Sequence, residues 1–317
     1  MTSLRSAHAR AVPLRVRPRS ALALTLACLV GVAGYGWPFL ADSTSSIGGH
    51  STDAPYLFAL LLPLVVAIVV AELSDGGMDA KAVAMLGVLA AVGAGLRAVS
   101  PGTGGFEPTL FLVALAGRVF GAGFGFALGA TMIVASGLVT GGVGPWMPYQ
   151  MLGLAWVGMG AGLLPGGTGK GERWLLAGYT AIASLAFGAL LNLSFWPFTT
   201  SLPPTMAYTS AASAGTNLAH YAAFYVTTSL GWDAVRAVVN ATLVVLAGRA
   251  ILSTLRRAAR RAAFDAEPVF RPPFHPTSTR QSRAASDPDQ VDDGAVVRDT
   301  ADTARRREKT DDNPAPC

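Results

Sequence analysis

A long stretch almost without charged side chains is the strongest constraint on how this chain can fold. Between Tyr56 and Leu252 only 13 side chains are Asp, Glu, Lys or Arg, whereas the last 65 residues hold 23 of the chain's 43. Soluble domains carry about 25% charged residues. With so few charges the middle of the chain must face lipid. This excludes a water-soluble enzyme, a secreted disulfide scaffold and a nucleic-acid-binding protein.

The apolar segments predict an all-α, polytopic membrane protein. Only helices and closed barrels satisfy their backbone hydrogen bonds in lipid, and these segments are long and lack polar alternation. The fourth and sixth runs are short for a span of ~20 residues, so we expect them to be tilted, broken at glycines or shielded by neighbours. The eight runs cover residues 20–41, 55–73, 80–98, 106–118, 120–139, 149–165, 174–198 and 229–252.

The distribution of basic residues predicts the orientation. Arginines precede the first run and follow the last, and cytoplasmic segments are the ones enriched in Lys and Arg. The loops 42–54, 140–148 and 199–228 contain neither residue. We therefore expect both termini in the cytoplasm, these loops outside, and a multi-pass protein of the cell membrane.

The first run has an alternative interpretation as a secretory signal peptide. It follows a basic segment and ends near Ala41. Its apolar stretch is longer than usual and no clear cleavage site follows, which favours a retained helix. The charged, Pro-rich end of the chain predicts a disordered cytoplasmic tail.

Sequence motifs for catalysis are absent. The chain has no H-E-x-x-H or G-x-S-x-G motif and no cluster of His and carboxylates at metal-ligand spacing. The glycine-rich segment 166–171 lacks the Ser or Thr of a phosphate-binding loop and predicts a cytoplasmic turn. We therefore expect no enzyme activity, no cofactor and no metal, and no nucleotide hydrolysis by the chain itself.

Small residues recur every three to four positions in the third apolar run. Such a ladder allows a second helix to approach closely in lipid, either within the protein or from a partner. The candidate docking residues are Ala84, Gly87, Ala90, Ala91, Ala94 and Gly95.

Five ionisable residues lie at helix ends or within apolar runs, where charges are costly and often functional. Arg97 and Glu107 flank a turn and are expected to face one another. Asp233 and Arg236 are spaced to pair with each other. Arg118 has a mainly structural interpretation at the inner end of its helix.

Aromatic and amide side chains gather in the segments predicted to lie outside. An interfacial aromatic belt explains some of the Trp and Tyr residues but not the amides. The long loop 199–228 is typical of a lid or part of a binding site. We therefore expect an outward-facing pocket with apolar walls and a few polar groups. Its candidate residues are Glu107, Trp146, Tyr149, Gln150, Asn192, Trp196, Asn217, His220 and Tyr221.

Several sequence segments resemble those of actinobacterial substrate-binding (S) components of energy-coupling factor (ECF) transporters. The resemblance covers residues 55–252. These segments are Gly104-Gly-Phe-Glu-Pro, Leu115-Ala-Gly-Arg-Val-Phe-Gly121, Phe124-Gly-Phe-Ala-Leu-Gly129, Thr140-Gly-Gly-Val-Gly-Pro-Trp-Met-Pro-Tyr-Gln-Met-Leu152 and Leu191-Asn-Leu-Ser-Phe-Trp-Pro-Phe198.

The resemblance implies a six-helix core that captures a vitamin or related micronutrient from outside. It also implies docking, through the small-residue ladder, on a transmembrane coupling protein with two ABC-type ATPases, and delivery by toppling in the bilayer. Cobalamin is one candidate ligand. Together with the apolar runs and charges outside the resemblance, this core predicts four segments: a basic cytoplasmic N-terminus 1–19, a transmembrane hairpin 20–79, the six-helix core 80–252 and a disordered cytoplasmic tail 253–317.

Two other classes of function remain open. A membrane-embedded enzyme acting on a lipid would need a carboxylate cluster, for which Glu107 and Asp233 are the outer-half candidates. A stand-alone secondary transporter would need an intramembrane acid away from a neutralising arginine, whereas each of these two has an arginine nearby.

Overall fold

A computed structural model describes residues 18–40, 63–64, 66–67, 69–71, 80–100, 103–166 and 169–262. Over these residues the chain is almost entirely helical and forms no strand, which confirms the all-α prediction. The pieces between 63 and 71 are helical too and belong to the second apolar run.

Eight α-helices and two short 3-10 turns cover most of the described residues. The helices are α1 (Pro18–Leu40), α2 (Ala80–Val99), α3 (Leu110–Phe120), α4 (Ala122–Thr140), α5 (Met147–Leu163), α6 (Lys170–Phe195), α7 (Ala214–Thr228) and α8 (Leu230–Ala262), and the turns are Thr103–Gly105 and Trp196–Phe198.

Five of the described helices are long and apolar enough to cross a membrane: α1, α2, α4, α6 and α8. Exposed leucine, isoleucine and valine side chains lie along them, such as Leu29, Val88, Ile182 and Leu246. In water such surfaces would be costly, but they suit contact with lipid. The protein is therefore a polytopic membrane protein.

The centre of the bundle is made by α3, α4 and α5, which approach one another through glycines. A Cβ at Gly117 or Gly125 would overlap the carbonyl of Gly158. Helix α3 has only 11 residues, about 16 Å, and nearly all of them are buried. The short fourth run is thus a helix shielded by its neighbours. Gly121, with φ 98°, makes the break between α3 and α4.

Two boundaries differ from the sequence prediction. The segment 199–228 is not one loop, because α7 begins after Ser213, whose hydroxyl accepts a hydrogen bond from the Thr216 N–H (3.2 Å). The tail does not begin at residue 253, because α8 continues to Ala262. At ~1.5 Å per residue α8 is about 50 Å long, more than the ~30 Å hydrocarbon layer. Its last turns are rich in Ala, Leu and Arg, which favour helix.

The N-terminal helix α1 packs against the rest of the bundle. Its buried side includes Ala27, Gly31 and Tyr35, while Leu29 and Val32 are exposed. The contacts reach α5, α6 and α7. Helix α1 is therefore integrated with the segment that was expected to form the core.

Candidate ligand-binding site

Four charged side chains form a continuous chain of ion pairs at one end of the bundle. Arg97 Nη1 donates to Glu107 Oε1 (2.8 Å), and Arg236 Nε donates to Glu107 Oε2 (2.9 Å). Arg236 Nη1 also donates to Asp233 Oδ1. Both predicted pairs are confirmed, and Arg236 joins them.

Two amides extend this arrangement. Gln150 Oε1 accepts from Arg97 Nη2 (2.9 Å). Asn240 Nδ2 donates to the Glu107 carbonyl (2.8 Å), and its Oδ1 accepts from the Phe111 N–H (2.9 Å). We call the six residues together the polar chain: Arg97, Glu107, Gln150, Asp233, Arg236 and Asn240.

The backbone around Glu107 explains how the acid reaches the interior. Gly104 and Gly105 have φ values of 64° and 79°, a region that glycine adopts readily. A Cβ at Gly105 would overlap the carbonyl of Trp232 at the start of α8. The turn therefore lies directly on α8, and Glu107 follows it within reach of Arg236.

The polar chain is buried and its charges balance. Glu107 is 6% exposed and Asp233 is 2% exposed, whereas the side chain of Arg97 is 22% exposed. Two carboxylates face two guanidinium groups, which offsets much of the cost of burying each charge. Ionisable groups at membrane depth are costly and commonly functional, so this end of the bundle is the candidate site.

Asp233 also contacts α6. Its Oδ2 lies against the Cα of Gly188, where a Cβ would overlap the carboxylate. This oxygen has no hydrogen-bond partner of good geometry among the described residues, although the Tyr225 phenol lies close enough to the Asp233 carboxylate to form a weaker hydrogen bond with it. Nearby, Ser229 Oγ donates to Asn192 Oδ1 (2.7 Å).

In the described part of the chain, buried polar atoms without a hydrogen-bond partner concentrate at this end. They are the hydroxyls of Thr109, Tyr149 and Tyr208 and the Oδ2 of Asp233, while the Nε of Arg173 is the example at the other end of the described bundle. The Tyr208 hydroxyl is protonated at neutral pH, as an ordinary phenol is, and burial raises its pKa further. Unsatisfied buried groups are rare in native proteins and commonly meet water or a ligand.

The structure brings together only some of the predicted pocket residues. Glu107 and Gln150 belong to the polar chain, and Asn192 lies close to Asp233 through Ser229 and Gly188. Tyr149 is buried next to Gln150. Trp146, in contrast, is 52% exposed at the start of α5.

Of the other four predicted pocket residues, three bond to the loop 199–213 and the fourth, Tyr221, bonds to α6. Trp196 donates to the Met206 carbonyl (2.7 Å), and Asn217 bonds both the N–H and the carbonyl of Thr209 (3.2 and 3.0 Å). The His220 ring bonds the Ala207 carbonyl (2.8 Å). Tyr221 donates to the Ala189 carbonyl. Their polar groups are engaged with backbone in this state.

The predicted docking residues divide between two sides of α2. Ala84, Gly87, Ala91 and Gly95 are exposed, and none of the described residues comes within 4 Å of a Cβ at either glycine. Ala90 and Ala94 are buried inside the bundle. The exposed small-residue face of α2 therefore consists of Ala84, Gly87, Ala91 and Gly95.

The opposite end of the bundle has a second ionic cluster. Glu172, 3% exposed, pairs with Arg118 (2.9 Å) and with Arg256. Arg118 also donates to the carbonyls of Leu164 and Pro165. These contacts support the structural interpretation of Arg118, and Arg256 ties in the end of α8, a contact that the sequence analysis missed.

An apolar cavity of about 570 Å³ lies between the described residues of the second apolar run, α4 and the start of α5. It shares no lining residue with the polar chain. Its walls are Pro63, Val66, Ala67, Val70, Ala130, Thr131, Val134, Val143, Gly144, Met147, Pro148 and Met151.

Sequence reasoning missed Asn240 and the link between Glu107 and Arg236. Asn240 could have been found from the sequence, because residues 233, 236 and 240 follow the 3–4 spacing of one helix face.

Comparisons of the chain with models of protein families, with curated proteins and with solved structures find no match.

Proposed function

We propose that this protein is the substrate-capture (S) component of an ATP-driven ECF importer. It binds a vitamin or related micronutrient from outside the cell and docks on a transmembrane coupling protein with two ATPases. The observation that carries the proposal is the polar chain, which lies at an end of the bundle where buried hydroxyls of the described residues also lack a hydrogen-bond partner.

A purely structural role accounts poorly for this arrangement. Ion pairs buried in a protein contribute little net stability compared with apolar packing, and intramembrane charges are usually tied to binding or transport. Arg97 is the most exposed of the four charged residues in the polar chain, and Gln150 accepts a hydrogen bond from it. These two side chains are therefore the ones we assign to first contact with a polar ligand. Cobalamin remains the named candidate.

The exposed small-residue face of α2 supports the partner part of the proposal. Its glycines leave the helix backbone open to a neighbouring helix, and in lipid such close approach is a main source of helix association. The sequence has no complete phosphate-binding loop, so the energy for transport would come from the partner ATPases.

A pull-down from native membranes tests the proposal. The tagged chain is gently solubilised and its partners are identified by mass spectrometry. We expect one membrane protein and two ABC-type ATPases to co-purify. Recovery of the chain alone, under conditions that preserve a known complex, would contradict the proposal.

Matched variants test whether the exposed small-residue face of α2 makes the contact with the coupling protein. Gly87→Leu with Gly95→Leu should reduce partner recovery by about tenfold, the effect of ~1.4 kcal/mol of lost contact. Gly178→Leu on α6, also a site with open space around it, should leave recovery unchanged. Equal recovery in both variants would remove α2 from the interface.

One observation keeps a membrane-embedded enzyme as the second candidate. Glu107 and Asp233, far apart in sequence, bind the same guanidinium of Arg236. A carboxylate acid–base pair needs such proximity. The double variant Glu107→Gln with Asp233→Asn would abolish turnover of a lipid substrate in an enzyme, whereas in a capture subunit it should reduce ligand affinity and leave partner recovery intact.

A stand-alone secondary transporter is the remaining alternative. In the polar chain both carboxylates are paired with arginine, which disfavours either as a free coupling-ion site. Uptake that persists in cells lacking the partner ATPases would support this alternative.

A further inference from the structure

The last turns of α1 carry aromatic side chains that lie against the loop 199–213 and its flanks. Trp37, 4% exposed, stacks on Phe198 (ring centroids 5.7 Å apart, planes at 28°) and meets Tyr208 edge to face (5.7 Å). Phe39 stacks on Trp196 (6.3 Å). Aromatic pairs of this kind contribute beyond their buried area. The α1 aromatics therefore form one side of the support for this loop.

The same helix also contacts the start of α5. The Tyr35 hydroxyl donates to the Tyr149 carbonyl (2.6 Å), and the two rings meet edge to face at 5.2 Å. The next residue, Gln150, receives the hydrogen bond from Arg97. Helix α1 thus bridges the loop 199–213 on one side and the α5 turn that contributes to the polar chain on the other.

Helix α7 continues from this loop and covers the part of α6 next to Asp233. Tyr221 donates to the Ala189 carbonyl and Tyr225 to the Leu185 carbonyl (3.3 Å), on either side of Gly188. A single residue, Ser229, separates α7 from α8. Movement of the loop together with α7 would therefore uncover the Asp233 side of the polar chain.

We propose that Tyr35 and Trp37 of α1 are positioning residues of the ligand site. They hold the loop 199–213, α7 and the first turn of α5 in the positions described above, in which α7 covers the Asp233 side of the polar chain. We call this the closed arrangement, and by holding it the two residues control access to the polar chain. The role of this access in ligand capture rests on the proposed function. Helix α1 is then a working part of the protein, which a removable signal peptide would not be.

Hydrogen exchange of the full chain in lipid nanodiscs measures the closed arrangement without any ligand. In Trp37→Ala we expect the amides of residues 199–228 to exchange about tenfold faster, because local opening becomes easier. Tyr35→Phe should speed exchange at the start of α5. Val32→Ala, an exposed position of the same helix, is the control and should change neither segment.

Cysteine labelling measures access to the polar chain. In a background with Cys28→Ser and Cys317→Ser, an Asn192→Cys variant reports on the region beside Asp233 through its rate of reaction with a charged methanethiosulfonate. Adding Trp37→Ala should raise this rate about tenfold over the Val32→Ala control, in proportion to the open population. Unchanged exchange in residues 199–228 and an unchanged labelling rate would each overturn the proposal.

A third measurement separates this inference from the proposed function. Mass spectrometry of the purified protein identifies any small molecule retained from cells. Faster exchange and labelling in Trp37→Ala, with no small molecule retained by the unsubstituted chain, would support the α1 role and count against ligand capture. A small molecule retained equally by Trp37→Ala and Val32→Ala would overturn the role of α1 and support capture.

Discussion

At the scale of single residues, Arg236 is the centre of the polar chain, because it contacts both Glu107 and Asp233. Removing it leaves two buried carboxylates facing one remaining arginine. We expect Arg236→Gln to destabilise the protein by about 3–5 kcal/mol, the cost of breaking a buried pair. Arg249→Gln, at an exposed position of the same helix, should change little. Unfolding of the detergent-solubilised protein measures both, and equal stability of the two variants would contradict a central role for Arg236.

A second prediction for a single residue concerns Gly188, whose backbone packs against the Asp233 carboxylate. A Cβ at Gly188 would overlap the carboxylate, so Gly188→Ala should cost about 1–3 kcal/mol through overpacking. Gly178 lies on the same helix with open space around it, so Gly178→Ala should stabilise the helix by about 0.5–1 kcal/mol. Opposite signs in one unfolding assay are the expected result. A neutral Gly188→Ala would show that α6 and α8 separate there without cost.

Local spacing predicted the two ion pairs Arg97–Glu107 and Asp233–Arg236, but not the contact that joins them into the polar chain. Arg97 and Glu107 flank one short turn, and Asp233 and Arg236 are three residues apart. The bond between Glu107 and Arg236 joins residues 129 positions apart. It depends on how the turn at Gly105 lies on α8, and no local pattern specifies such a contact. The hydrogen bonds of Asn217 and His220 to the loop 199–213 depend on tertiary packing in the same way.

At the scale of elements, the close approach of α3, α4 and α5 depends on glycines without room for a side chain. We expect Gly158→Ala to destabilise the bundle by about 1–3 kcal/mol, since its Cβ would meet the backbone of Gly125. Gly87→Ala, whose Cβ would meet none of the described residues within 4 Å, is the matched control and should be neutral or stabilising in the isolated chain. Thermal unfolding decides, and a Gly158→Ala variant as stable as the control would mean that these helices can move apart.

Apolar runs predicted the long helices well and the polar helices poorly. Helices α2 and α4 begin and end within two residues of their predicted runs, because lipid-facing helices are apolar throughout. Helix α7 contains Asn217, His220 and several Thr and Tyr residues, so it has no hydrophobic run to mark it. The last turns of α8 are rich in arginine, and their helical order follows from propensity and from the Arg256 contact with Glu172.

At the scale of the whole molecule, the two ends of the bundle differ in charge. The polar chain has equal numbers of acidic and basic groups, whereas the other end has an excess of arginine around Glu172, including Arg118, Arg173 and Arg256. Positively charged loops and helix ends stay in the cytoplasm during insertion. We therefore expect the polar chain to lie at the outer face of the membrane, as the proposed capture from outside requires.

Labelling of single cysteines in intact cells tests this orientation. In the background with Cys28→Ser and Cys317→Ser, Ser210→Cys lies in the exposed loop before α7, and Gly166→Cys lies in an exposed turn at the arginine-rich end. A membrane-impermeant maleimide should label the first variant directly and the second only after the cells are permeabilised. The reverse pattern would put the polar chain in the cytoplasm and contradict capture from outside. Equal labelling of both variants in intact cells would contradict a single orientation. It would also contradict the expectation that the arginine-rich end is kept in the cytoplasm by its charge.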